Sequence, residues 1–179
     1  DHRDLHSFPT RRSSDLVAAL NKAAGRAKWA YVPSSDQLQP VEDQDVITNA
    51  LIFQPDEVVW AGKSYADGKD STDTGPFGNA RTPIAAAFTP VGGGAPMLVA
   101  VNHFKSKSSG GATGANVDSG QGAYNADRVA QANALLGWLP GVQSDAGTDA
   151  VALVGDFNSY THEDPLENLY DAGFTNAAK

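Results

Sequence analysis

The chain has 179 residues, with 13 Lys+Arg against 21 Asp+Glu for a formal net charge of -8, no Cys, 18 Gly, 10 Pro and 41% hydrophobic residues. That is one globular unit of chain, able to bury roughly two-thirds of its unfolded surface, and the composition excludes collagen-like, coiled-coil and disordered classes. Without cysteine there is no disulfide framework, thiolate zinc site or thiol catalysis; no run approaches the roughly 18 apolar residues of a membrane span; and the acidic balance argues against a nucleic-acid-coating protein, though not against one that handles a single phosphate with a few local cations and a metal.

Asp1–Leu16, DHRDLHSFPTRRSSDL, shows neither helical nor strand periodicity and concentrates Arg3, Arg11, Arg12, His2 and His6. The string resembles the conceptual translation of a short-read sequencing adapter, so it is read as a non-native tail, leaving 17–179 as the domain. VAALNKAAG then reads as the last turns of a helix capped by Gly25. Trp29–Val32 is a short strand candidate, and Ser34–Asp45 a polar loop with two prolines. Val46–Phe53 and Glu57–Trp60 flank Gln54-Pro55-Asp56, the pattern of a hairpin. Ala61–Asn79 reads as a long surface loop anchored by Tyr65 and Phe77.

Ile84–Thr89 and Met97–Phe104 are two strands joined by PVGGGAP. Lys105–Gly122 is a second glycine-rich loop. Asn125–Leu139 has Val129, Ala132, Leu136 and Leu139 on one stripe, with Arg128, Gln131 and Asn133 off it, and Pro140-Gly141 as its stop. Asp149–Asp156 is a buried strand, and Glu163–Ala172 a last amphipathic helix ending at Gly173. Two strands separated by a single helix form a β-α-β crossover and run parallel. His103 and Asp156 then emerge at one carboxyl edge, where open α/β sheets bind ligands.

Three clusters there carry chemistry. In Gly155-Asp156-Phe157-Asn158, a carboxylate and a carboxamide two residues apart suit a metal-bound water or a phosphate oxygen. The alternative is that both merely cap the turn, as Asp and Asn commonly do. Asn102-His103-Phe104-Lys105-Ser106-Lys107 places a histidine, the residue type suited to proton transfer near neutrality, beside two cations. A strand-end histidine is more often structural, and it is the convergence of two strand ends that favours function. Asp118 to Arg128 joins a loop to a helix N-terminus, with Asn125 and Arg128 one turn apart; an N-cap and a surface ion pair explain that spacing equally well. Arg81-Thr82-Pro83 offers a further guanidinium before a strand. Asp67, Asp70 and Asp73 recur every third residue without the ligand spacing of a calcium loop, and read as solvated.

NHFKSK, GQGAYNADRVAQA and VGDFNSYTHEDPL, in this order and spacing, resemble the secreted bacterial nuclease branch of the endonuclease/exonuclease/phosphatase superfamily, which includes the DNase I fold. The resemblance runs from Val17 to Lys179 and takes in DVITNALIFQP and RTPIAAAF. It implies an α/β fold, part of a four-layer α/β sandwich, and metal-dependent phosphodiester hydrolysis of DNA or RNA with Mg or Ca, or Mn, as cofactor. Residue by residue, it implies that His103 contacts the phosphate and assists proton transfer. Asp156 orients the attacking water and holds the metal, and Asn158 binds the scissile phosphate. Arg81, Asn102, Lys105, Asn125 and Arg128 then lie toward the substrate phosphate.

The resemblance further implies an extracellular location, and no protein partner is inferred. The family's metal-ligand Glu and its terminal Asp-His pair have no counterpart in this sequence, and Ala123 stands where many relatives have cysteine. The expectation is therefore a chain truncated at both ends and inactive, or nearly so, as written. The alternatives are a phosphatase or phospholipid phosphodiesterase of the same superfamily, or a non-catalytic calcium-binding surface module.

Overall fold

The structure, a computed structural model, describes residues 8–39, 47–108 and 110–177. Ten elements follow in order: α1 (Phe8–Ala24), β1 (Ala30–Tyr31), β2 (Ile52–Phe53), β3 (Val58–Ala66), β4 (Arg81–Pro90), β5 (Met97–His103), a 3-10 turn (Gly114–Asn116), α2 (Asn125–Ala146), β6 (Val151–Asp156) and α3 (Asp164–Asp171). The main sheet has the order β3-β4-β5-β6, with β5 and β6 parallel and the other pairs antiparallel. Helices α2 and α3 pack on one face of it. On the other face lies the antiparallel β1-β2 ladder, with α1 beside β1.

The core is the face turned to α2. Leu98 and Ala100 of β5 and Ala85 and Ala87 of β4 meet Leu135, Leu139 and Val142 of α2, closed at one end by Phe77 and Phe104. Alternation along β5 is what allows this: Leu98, Ala100 and Asn102 are buried, while Val99, Val101 and His103 are half-buried on the opposite face. There Phe53 stacks on Phe88 with ring centroids 5.3 Å apart, and Asn49 Nδ2 donates to Thr82 O at 2.9 Å. The small second ladder thus covers the β3-β4 half of that face. Met97 and Val154, at 44% and 40% exposure, mark the uncovered half.

Several expectations are corrected. Residues 8–16 are helical, forming the first half of α1. Among the described side chains of α1, Ser13 and Val17, one turn apart, are the buried ones, too short a stripe to register as periodicity. Residues 1–7 and 40–46 lie outside the described residues, and with them part of the polar loop and the start of the Val46–Phe53 segment. Gln54-Pro55-Asp56 is a turn, with Glu57 and Val58 N–H both donating to Gln54 O at 3.0 Å. It is not a hairpin: β2 pairs with β1 and β3 with β4, so the turn carries the chain between sheets.

Strand β3 also runs on to Ala66, through a register irregularity between Trp60 and Ser64 where Gly62 has φ 85°. The polar Gly62-Lys63 pair that reads as loop is a bulge. Helix α2 passes through Pro140 and ends at Gly147, in the left-handed region with φ 67°. Pro140 is exposed, and Leu139 and Val142 on either side of it are buried in the core, so packing outweighs the one hydrogen bond the proline removes. Finally, β6 is not a buried strand. Among the described residues it pairs with β5 alone, and its last three residues are exposed.

Gly155 is fixed by contact. Its φ is 117°, and a Cβ there would lie 2.0 Å from Asn102 O. No side chain fits without moving the β5-β6 ladder that places Asp156. Gly137, in the middle of α2, has nothing within 4 Å of its would-be Cβ. Gly155→Ala should therefore destabilise the fold by more than about 2 kcal/mol, whereas Gly137→Ala should stabilise it by up to about 1 kcal/mol. Thermal unfolding of the two variants beside the parent checks both signs.

Candidate active site

Directly paired residues of neighbouring strands share a face. Arg81, the first residue of β4, pairs with His103, the last of β5, and His103 pairs with Asp156, the last of β6. A guanidinium, an imidazole and a carboxylate therefore start side by side at one end of the sheet, on the face away from α2. With neighbouring strands about 4.8 Å apart, the outer two backbones are about 10 Å apart, the span of one phosphate group and its ligands. The expected co-directional delivery of His103 and Asp156 is what the strands show, and the antiparallel β4 adds Arg81 from the opposite chain direction.

His103 is half-buried and Asp156 exposed. Among the described residues the His103 ring makes no side-chain hydrogen bond. Asp156 does cap its turn: Oδ1 accepts Asn158 N–H at 2.8 Å, with Asn158 at φ 48°. The capping reading of this tetrapeptide thus holds for one carboxylate oxygen, Oδ1. Asn158 Nδ2 donates to Phe104 O at 3.0 Å, which ties the β6 turn to the end of β5 and leaves the carboxamide oxygen and one amide hydrogen available.

The remaining expected phosphate ligands divide. Lys105 reaches the row's end of the sheet and, with Arg81, Thr82 and Asn79, lines a cavity of about 580 Å³; its Nζ lies 4.6 Å from the Tyr124 ring centroid. Asn102 is 1% exposed, on the α2 face, with Nδ2 donating to Ala100 O at 3.0 Å; it lies across the sheet from His103. Asn125 binds Asp164 Oδ2 at 2.8 Å, linking the starts of α2 and α3.

Arg128 is fully buried. Its Nη1 donates to Ala123 O at 2.7 Å and Lys105 O at 3.3 Å, and Nη2 to Gln121 O at 3.0 Å. Desolvation pulls its pKa below the usual arginine value, with the Glu163, Asp127 and Asp118 carboxylates opposing that. Arg128 is thus a strut between two loops rather than a phosphate ligand in view of solvent.

Sequence reasoning missed Gln131, also fully buried. Its Oε1 accepts Lys105 N–H at 2.9 Å, and Nε2 donates to Pro76 O at 2.9 Å and Asn79 Oδ1 at 3.3 Å. Arg128 and Gln131 therefore hold the carbonyl and the N–H of Lys105, two residues beyond His103. The available signal was a polar i, i+3 pair next to Ala132 and Leu135 on one helix face. Glu163 was missed too: at 8% exposure it takes Lys107 Nζ at 2.5 Å and Tyr160 N–H at 3.0 Å.

Among the described residues no group of three or more His, Asp or Glu is placed to hold a metal ion. The oxygen donors at the row are one Asp156 carboxylate oxygen and the Asn158 carboxamide. That set does not enclose Ca²⁺, which takes six to eight oxygens. It fits Mg²⁺, which keeps most of its waters and is bound through one or two carboxylates plus substrate phosphate. Mn²⁺ accepts the same hard donors.

Of the acidic triplet expected to be solvated, Asp73 is exposed but Asp67 is 2% exposed. Burial first, and the neighbouring Asp70 carboxylate second, push the Asp67 pKa up to about 7.

Neither a family model nor a curated protein matches the sequence. Solved structures do. The chain is similar to the human Nocturnin catalytic domain with bound sulfate anion, at 16% identity and TM-score 0.51, covering 86% of this chain and 51% of that one. It is similar to an endonuclease/exonuclease/phosphatase family protein from Bacteroides thetaiotaomicron, at 11% identity and TM-score 0.53, covering 90% and 52%. A conserved protein of unknown function from Enterococcus faecalis V583 aligns at 12% identity and TM-score 0.51, covering 94% and 66%. The fold is thus the DNase I-like α/β fold of the endonuclease/exonuclease/phosphatase proteins. The chain spans about half the length of the first two of these structures. Among the described residues no helix is long and apolar enough to cross a membrane.

Asp67 gives a pH test. Its folded pKa lies above the ordinary 3.8, so the stability it contributes is full below about pH 4 and is lost as pH rises through about 7, in total on the order of 4 kcal/mol. Urea unfolding at pH 4.5 and pH 8, compared between the parent and Asp67→Asn, should show a gap that grows with pH in favour of the variant. A gap of constant size would mean that Asp67 does not titrate in this window.

Proposed function

We propose that the Arg81-His103-Asp156 row binds and hydrolyses phosphodiesters of nucleic acid, DNA or RNA, with water as nucleophile. The register that brings these three side chains to one rim carries the reading, and the loops clamped by Arg128 and Gln131 support it by fixing Lys105 beside them. Arg81 and Lys105 offset phosphate charge, the first with a planar fork suited to two oxygens. His103, in the middle of the row, holds a non-bridging oxygen and passes a proton to the substrate. Asp156 orients the attacking water through its uncapped oxygen. Asn158 contacts the phosphate through its remaining amide hydrogen. A divalent cation, Mg²⁺ by the donor set, would be held by Asp156 and supply Lewis-acid stabilisation of the charged transition state.

The fold supports hydrolase chemistry at this end of the sheet, and the bound sulfate of the human structure is an anion of phosphate's shape and charge. With Asp156 exposed at its end, the row opens to solvent, which suits a polymeric substrate better than an enclosed pocket does.

Plasmid nicking with and without Mg²⁺ tests this reading, alongside hydrolysis of bis(p-nitrophenyl) phosphate and of the corresponding monoester. The 179-residue chain is expected to turn over slowly, with the diester preferred. His103→Ala and Asp156→Ala should each lower the rate by roughly 100-fold or more, while Met97→Ser on the same face should not. Undiminished turnover in both row variants would place the chemistry elsewhere.

A further inference from the structure

Tyr160 is 77% exposed, although an aromatic ring normally gains by burial. It is nevertheless held in place. Glu163 N–H donates to Tyr160 O at 3.0 Å, and Glu163 Oε2 accepts Tyr160 N–H at 3.0 Å, so the turn is locked at both ends. Glu163 Oε1 takes the Lys107 ammonium at 2.5 Å, and that ammonium sits 4.0 Å from the Tyr160 ring centroid. The Lys107-Glu163 pair is mostly buried, with side-chain exposures of 27% and 11%, so it buttresses the ring where a solvated surface pair would not. One face of the ring rests on Lys107 and the rest meets solvent.

The position in the chain matters as much. Tyr160 lies two residues after Asn158, on the turn that begins at Asp156. Lys107 lies four residues after His103. A second pair of the same kind, Lys105 against Tyr124, takes its cation from the same segment and its ring from the start of α2. Cations alternating with aromatic rings along a rim are the make-up of grooves that bind single-stranded nucleic acid, where the ammonium groups follow the backbone and the rings take the bases.

We propose that Tyr160 is a stacking platform for an unpaired nucleobase next to the phosphate held at the Arg81-His103-Asp156 row, so that single-stranded or locally opened strands are taken in preference to intact duplex. This rests on the phosphodiester reading above. Within a duplex both faces of a base are covered by its neighbours, and only an unstacked base offers a face to an outlying ring. Because Lys107 already lies against the ring and Glu163 fixes the Tyr160 backbone, little freedom is lost when the base arrives.

Two probes of equal length test this by binding alone: a short single-stranded oligodeoxynucleotide carrying one 2-aminopurine, and its counterpart with an abasic site at that position. The parent chain should bind the first more tightly and quench its fluorescence. Tyr160→Ala should abolish the quenching and weaken binding of the 2-aminopurine probe roughly 5- to 150-fold, removing the difference between the probes. Tyr160→Phe should preserve the quenching and the preference, and Tyr160→Leu should lose the quenching. If Arg81→Ala weakens abasic binding while Tyr160→Ala leaves the 2-aminopurine signal intact, the platform is refuted and the phosphate reading stands. If neither probe binds, both are refuted.

Discussion

Because β5 and β6 run parallel, the chain must travel the length of the sheet between the end of one and the start of the other, and the 22-residue α2 makes that return. The direction of the crossover brings the two carboxyl ends together. The register, with His103 opposite Asp156, then decides whether the imidazole and the carboxylate share a face. A slip by one residue would turn Asp156 into the core and bring Gly155 to the rim. The close approach of Gly155 to Asn102 O opposes such a slip, since any side chain at 155 would collide with the neighbouring strand. Site geometry in this protein is therefore a property of strand pairing before it is a property of any loop.

The loops are held to that geometry from inside. Arg128 and Gln131 are the largest polar groups on the buried face of α2, and burying them without partners would cost several kcal/mol. Their partners, backbone groups and the Asn79 side-chain oxygen, lie in three separate segments, at 76–79, 105 and 121–123. The penalty for burial is offset only when those segments lie where these hydrogen bonds can form, so the cost of misplacing a loop is felt in the core. Lys105 is gripped at both N–H and C=O, which extends the rigidity of β5 past its last bond to β6, from Phe104 N–H to Asp156 O. The Asn158-Phe104 bond does the same for the turn after β6.

How much of this is legible in the sequence follows from what each feature depends on. The crossover, its parallel strands and the meeting of His103 with Asp156 come from a local pattern, strand-helix-strand, and were open to inspection. So were the Gly25 cap of α1 and the strands on either side of PVGGGAP. The Gln54-Pro55-Asp56 turn was legible as a turn but not as a passage between sheets, because whether β3 pairs backward or forward is settled by β4, some twenty residues away. The bulge at Gly62 hid the second half of β3 for the same reason. Pro140 misled because its penalty is local while the burial of Leu139 and Val142 is tertiary. For Arg128 the spacing leaves a surface ion pair and a phosphate-facing group as equal alternatives; an arginine on a helix is usually solvated, and only the three carbonyls around it show a buried strut.

The charge distribution completes the argument. A chain with net charge -8 repels a polyanion at long range, yet beyond a Debye length of about 8 Å at physiological salt that repulsion is screened. What a phosphate meets at the rim is local. Lys107 is neutralised by Glu163 and serves the Tyr160 ring; Arg128 is sunk among carbonyls. Under the proposed reading, Arg81 and Lys105, at the β4 and β5 ends with His103 between them, are the cations that meet a phosphate. Few phosphates can be engaged at once, so affinity must come from a well-fitted single group and its immediate neighbours rather than from many weak ion pairs along a backbone. Under the proposed reading, an acidic chain with a small cationic rim engages one diester locally and briefly, which suits turnover better than retention.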